Sequence, residues 1–116
     1  TKQEYYNLFQ RLKLVDNEED FNEILNTRVS YSASKLSGGQ LRRLALIKAV
    51  CSGARILLLD EFTNGLNKEL ELEALKIIKE FVKKQNLVIL ISHNETVKSF
   101  CDNLIGISEL TKYYRN

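Results

Sequence analysis

Proline, methionine and tryptophan are missing from this 116-residue sequence, and histidine occurs once. Without proline, the punctuation of the chain falls to glycine, serine and asparagine. The lack of methionine fits an initiator removed before Thr1, and equally a piece of a longer protein. The two cysteines, Cys51 and Cys101, stand in apolar surroundings with no metal-ligand spacing, which points to reduced thiols in a cytosolic protein. Long apolar runs are also missing. "ILLL" and "LVILI" are far too short to cross a bilayer, and the start resembles neither a signal nor a transit peptide. A net charge of only +2 gives no electrostatic case for a nucleic-acid surface. What remains, 44% hydrophobic and 28% charged, describes one globular unit able to bury a core.

Periodicity supplies the elements. Residues 4–15 and "DNEEDFNEIL" (16–25) read as helices, the second with acids in its first turn and Phe21, Ile24 and Leu25 on one face. "NTRVSYSAS", 26–34, reads as a loop. A helix opened by Ser37 runs to Cys51, its apolar face made by Leu41, Leu44, Ala45, Ile47 and the turn from Lys48 to Cys51. Ile56–Leu59 and 86–91 read as strands apolar on both faces, typical of a covered parallel sheet. Between them, 67–84 is the longest helix, with Leu70, Ala74, Ile77, Ile78 and Phe81 as its buried stripe. "SHNE" has capping-box spacing, Ser92 to Glu95, before a short helix, and "NLIGIS" (103–108) reads as a third strand. Helix and strand alternate through the second half, so the fold class is α/β with a parallel sheet.

"KLSGGQLRRLALIKAV", 35–50, is the most informative stretch. With Ser37 as N-cap, Gln40 completes a capping box, and Leu36 and Leu41 bracket it as a hydrophobic staple. Yet Gly38 and Gly39 occupy the first turn, each costing up to about 1 kcal/mol relative to alanine. Two readings stand. The segment is an ordinary capped helix with a flexible entry, or its bare backbone admits an anion such as phosphate to the positive helix end.

The strand ends carry the other reactive groups. Ligands of open parallel sheets bind beyond the carboxyl ends of the strands. The first strand ends in Asp60-Glu61 and the second in Ser92-His93. Asp60 suits a hard cation such as Mg²⁺, Glu61 a base or orienter, and His93 a hydrogen-bond donor to phosphate oxygen. The acids read alternatively as turn or helix caps, and His93 as a satisfied histidine near a helix start.

In order, "LSGGQ" (36–40), "ILLLDE" (56–61), "TNGLN" (63–67) and "SHNE" (92–95) resemble the C-terminal half of an ATP-binding-cassette (ABC) ATPase domain of transporter type. The resemblance implies a partial P-loop NTPase (RecA-like) sheet with helices, plus part of the ABC helical subdomain. Residues 1–51 would belong to that subdomain and end in the signature helix; 52–116 would be the C-terminal part of the α/β ATPase core. It also implies roles. Ser37, Gly38, Gly39 and Gln40 would be the signature motif, contacting ATP held by a facing domain. Asp60 would be the Walker B aspartate holding Mg²⁺ through water, Glu61 the catalytic glutamate and His93 the switch histidine. Asn64, Gly65, Leu66 and Asn67 would lie in the D-loop at a head-to-tail dimer interface. The sequence departs from the family at Phe62 (usually proline), Gly65 and Asn67 (usually alanine and aspartate) and Lys48 (often arginine).

No G-x-x-x-x-G-K-[ST] occurs, so nothing here cradles the α- and β-phosphates. The expectation is that the chain alone binds ATP weakly or not at all. It would need a Walker A-bearing half, or a second ABC domain, to complete the site. By the family's strand order the phosphate-loop strand lies between the strand ending at His93 and the one at 104–107, leaving open edges. A transmembrane permease would be the further partner, placing the chain on the cytoplasmic face of a membrane with no nucleic acid involved. The alternative is the C-terminal ATPase lobe of an SMC-like chromosome-maintenance or DNA-repair ATPase, where a coiled coil separates the two halves. A non-catalytic module that merely keeps the fold is a third reading, opposed by Glu61 and His93 occurring together.

Overall fold

A computed structural model describes residues 1–26 and 36–106. Helix α1 (Lys2–Arg11) opens on a capping box between Thr1 and Glu4. Helix α2 (Glu18–Asn26) has three acids in its first turn, and Asn17 Oδ1 accepts from the Asp20 amide at 2.8 Å. The two helices meet through aromatic rings. Phe21, 1% exposed, has its ring 5.3 Å from Tyr6 and 5.2 Å from Phe9, the latter edge-on. The expected loop lies in residues 26–34, all but Asn26 outside the described residues.

Helix α3 (Gly38–Val50) begins where the capping box predicts, but it buries a different face. Leu46 and Ile47 are buried, and Leu44 and Val50 pack against the core. Leu41 and Ala45, expected inside, are exposed. At 100° per residue, Ala45 points about 200° round the helix from fully buried Ile47, so both cannot face one core.

Strand β1 (Ile56–Asp60), helix α4 (Lys68–Val82) and strand β2 (Leu87–Ile91) form a parallel crossover unit. The register pairs Ile56 with Leu87 and runs through to Asp60 with Ile91. The whole expected stripe of α4 is buried, joined by Leu75. Leu59 of β1 and Val88 and Leu90 of β2 pack against this core, and Leu57, on the same face of β1 as Leu59, is buried as well. The fold is thus mixed α/β around a small parallel sheet, consistent with a partial P-loop NTPase-like unit.

Two expectations about the sheet need correction. The strands were expected to be covered on both faces, but only one is. Ile56, Leu58, Leu87, Ile89 and Ile91 project from the other face, between 46% and 65% exposed. The alternation of β geometry sends every second side chain outward, and no described element packs there. The third strand also fails over its described part. Residues 103–106 are irregular, with Leu104 and Ile105 exposed, and 107–108 lie outside the described residues. An extended segment becomes a strand only by joining a hydrogen-bonded ladder, and the sheet here has two strands.

Helix α5 (Glu95–Phe100) is the last described element. Its cap is Asn94, not Ser92: Asn94 Oδ1 accepts from the amides of Thr96 (2.8 Å) and Val97 (3.4 Å). Ser92 Oγ instead accepts from the Asn94 amide at 3.0 Å, one turn upstream of the helix.

Candidate functional site

Parallel register brings the reactive strand ends together. Because Asp60 pairs with Ile91, the segments 60–61 and 92–93 leave the sheet side by side. One further main-chain bond extends the ladder, from the Glu61 amide to the Ile91 carbonyl at 2.8 Å. Glu61 Oε1 then stands 3.8 Å from His93 Nε2, beyond hydrogen-bond distance but close enough for the two to share a ligand. The His93 side chain is 93% exposed and that of Glu61 31%, so both are accessible. Glu61 holds this position with φ = 49°, in the left-handed region rarely used by residues other than glycine.

Asp60 is exposed at the end of β1. Among the described residues no group of three His, Cys, Asp or Glu side chains comes together to hold a metal ion. A single strand-end carboxylate nonetheless fits Mg²⁺, which keeps several waters and takes one or two carboxylates alongside phosphate oxygens.

The turn after β1 is built tightly. The Asn64 amide donates to the Glu61 carbonyl (3.2 Å) and the Leu66 amide to the Thr63 carbonyl (3.0 Å). Phe62, at the position of the family's usual proline, is buried in the core, and Thr63 beside it is 5% exposed. Gly65 has φ = 81°, which explains why glycine rather than alanine stands there. Asn67 caps α4, its Oδ1 accepting from the Leu70 amide at 2.9 Å; asparagine replaces aspartate with the same capping chemistry.

Ser37 Oγ accepts from the Gln40 amide (3.2 Å) and Gln40 Oε1 from the Ser37 amide (2.9 Å), so both polar side chains serve the cap. Helix geometry leaves the amides of Gly38 and Gly39 without intrahelical acceptors. Among the described residues a Cβ on Gly38 would meet nothing within 4 Å, and one on Gly39 would lie 3.6 Å from the Gly65 carbonyl oxygen, an ordinary contact. Packing among the described residues therefore does not require the pair.

Three features escaped the sequence reading. Arg42 Nη1 donates to the Asn64 carbonyl at 2.6 Å, joining α3 to the turn that follows β1. Its neighbour Arg43 is half-buried with an Nε that has no partner among the described residues, and burial pushes its pKa below the usual guanidinium range. Glu71, on the first turn of α4, is 7% exposed and bonded to Asn94. For Arg42 and Glu71 the partner lies far along the chain, so no local spacing announces it.

The ABC transporter family model matches residues 1–64. The chain is 33% identical over 85 residues to the macrolide export ATP-binding/permease protein MacB 1 of Yersinia pestis bv. Antiqua, and 34% identical over the same length to MacB of Bordetella avium. MacB of Agrobacterium fabrum is 33% identical, again over 85 residues. Each alignment covers 73% of this chain and 13% of the relative, so the chain spans a small part of the proteins it matches. No helix among the described residues is long and apolar enough to cross a membrane. The chain belongs to the ABC transporter family, whose ATP-binding domains hydrolyse ATP.

Proposed function

We propose that this chain is the signature and Walker B half of an ABC transporter ATP-binding domain, contributing to ATP hydrolysis that drives a solute across a membrane. The observation that carries the reading is the pairing of strand ends: register sets Asp60 and Glu61 beside Ser92 and His93, with Glu61 and His93 3.8 Å apart. Glu61 takes the role of base, orienting the attacking water and accepting its proton. His93, exposed beside it, donates to an oxygen of the terminal phosphate. Asp60 holds Mg²⁺ through water, and the ion neutralises phosphate charge when bound.

Ser37, Gly38, Gly39 and Gln40 meet a nucleotide held by a facing domain. Open space at Gly38 supports this, because among the described residues the glycine has no neighbour to accommodate. Asn64 to Asn67 form the D-loop at the same interface. Residues 1–51 belong to the helical subdomain and 52–116 to the ATPase core. A Walker A-bearing half, or a second ABC domain, completes the site. The bare apolar face of β1 and β2 supports that completion, since five half-exposed aliphatic side chains favour burial against another element. The relatives are named as export ATP-binding/permease proteins, which supports a permease partner and a place on the cytoplasmic side of a membrane.

The experiment joins this chain to a Walker A-bearing half and measures ATP turnover. Glu61→Gln should allow ATP-dependent dimers yet block hydrolysis, and Ser37→Arg should prevent closure on the facing nucleotide. Near-normal turnover by Glu61→Gln would remove Glu61 from the role of base; unchanged activity of Ser37→Arg would count against the signature assignment.

A further inference from the structure

We infer that Glu71 is a positioning residue whose buried carboxylate, acting through Asn94, sets the loop that carries His93 and ties it to the exit of the D-loop. Glu71 and Thr63 are the buried polar residues of the described chain, and Glu71 is the one that carries charge. Burying a carboxylate is costly unless it is well paired, and replacing a buried ion pair with a well-packed apolar group is often neutral or stabilising. Stability alone is therefore a poor reason for an acid here. Geometry supplies a better one.

Glu71 Oε2 accepts from Asn94 Nδ2 at 2.9 Å, and Oε1 faces Lys68 Nζ at 3.4 Å. Lys68 in turn donates to Thr96 Oγ1 on α5. At its other end Asn94 is fully engaged: Oδ1 caps α5, and its amide donates to Ser92 Oγ. The residues on both sides of His93 are thus pinned, while the imidazole has no hydrogen-bond partner among the described residues and is nearly fully exposed. On the α4 side, the Glu71 amide donates to the carbonyl of Asn67, the last D-loop residue, at 2.9 Å. A displacement of the D-loop reaches Asn94, and with it His93, through two hydrogen bonds.

The functional weight of this chain of contacts rests on the proposed role of His93, but its test needs no nucleotide. His93 is the only histidine in the sequence, so ¹³C-histidine labelling of the full chain gives one set of ring signals. Three variants separate the causes. Glu71→Leu keeps the volume and removes the acceptor; Glu71→Gln keeps an acceptor for Asn94 Nδ2. Asn94→Asp keeps the cap of α5 but replaces the donor with a second carboxylate.

Glu71→Leu and Asn94→Asp should each move the His93 ring signals. Glu71→Leu should also speed amide exchange at Thr96 and Val97 about ten- to a hundredfold, the span expected for losing a hydrogen bond to an ionised acceptor. Exchange at Ala74 to Ile78 should stay as in the parent chain, and Glu71→Gln, which keeps a neutral acceptor, should bring both readouts back toward it. If Glu71→Leu melts α4 as a whole, Asn94→Asp decides. His93 signals that stay in place in Asn94→Asp, or that move as far in Glu71→Gln as in Glu71→Leu, overturn the inference. In the completed ATPase Glu71→Leu and Asn94→Asp should lower kcat and leave KM for Mg-ATP unchanged, while Glu71→Gln should keep kcat near that of the parent. An inactive parent enzyme would count against the role of His93, whereas the ring signals judge Glu71 by themselves.

Discussion

Replacing Glu61 with glycine should make this chain more stable. Its backbone sits at φ = 49°, where an L-residue is disfavoured by about 1–2 kcal/mol because Cβ crowds the following carbonyl. Glycine escapes that cost but loses about 0.4–1 kcal/mol through the greater freedom of its unfolded chain. The balance favours Glu61→Gly by about 0.8 kcal/mol at the centre of these ranges. The side chain offers little to offset it, since its nearest polar partner is His93 at 3.8 Å. Both main-chain bonds, to the Ile91 carbonyl and from the Asn64 amide, survive the substitution. The proper reference is Glu61→Ala, which loses the same carboxylate and keeps the strain. Urea unfolding followed by far-UV circular dichroism measures the difference, which corresponds to about 3–5 °C in Tm for a chain of this size. Gln85→Gly, at φ = 65° after α4, is a control outside the site and should gain similarly. A Glu61→Gly chain less stable than Glu61→Ala by about 0.5 kcal/mol or more would refute the strain argument.

Three further outcomes are expected. Leu58→Glu, on the bare sheet face at a residue 65% exposed, should change chain stability by less than about 0.5 kcal/mol while reducing self-association in sedimentation velocity; a folding loss instead would mean the face is covered within the chain. Arg11→Met should cost about 1 kcal/mol, because Arg11 clasps α1 to α4 through Glu73 (2.6 Å) and Glu80 (2.7 Å), which together hold its pKa above the usual guanidinium value; 1 M salt should narrow the gap to the parent chain, and a salt-independent gap would assign the loss to packing. Gly38→Ala should stabilise the chain by about 0.5–1 kcal/mol in thermal unfolding, as alanine does elsewhere in helices, since nothing lies within 4 Å of the added methyl; destabilisation would show a neighbour that the geometry does not contain.

Local chemistry was the legible part of the sequence. The Ser37–Gln40 capping box and the buried stripe of α4 depend on residues three or four apart, and both formed as read. Failures began where a second segment decides. Glu69, Glu71 and Glu73 look alike on the first turns of α4, and only the arrival of Asn94 on the loop after β2 singles out Glu71 for burial. "SHNE" offers two caps two residues apart, and the longer reach of Asn94 to two amides at once took the helix from Ser92. The sheet is the most instructive miss. Leu58 and Ile89 are as apolar as Leu57 and Val88, which is the pattern of a strand covered on both sides, yet the described residues supply one covering layer.

Glu61 and Gly38 break local rules in opposite ways, one an acid in a backbone region suited to glycine, the other a glycine in a helix that would take alanine. Gly65 makes the contrast sharp. Its φ of 81° and the approach of Arg42, whose Nη1 would lie 3.0 Å from an added Cβ, give that glycine a reason inside the fold. Among the described residues neither Glu61 nor Gly38 has one. Where a chain forgoes stability that a single substitution would restore, and no neighbour explains it, the constraint comes from something the residue must meet outside the chain. The acid faces His93 at the strand ends, and the glycine offers open backbone at a helix start. Under the proposed function an anion would approach the helix and the acid would hold a nucleophile, so the same pair of measurements that tests the stability forgone also bears on that proposal.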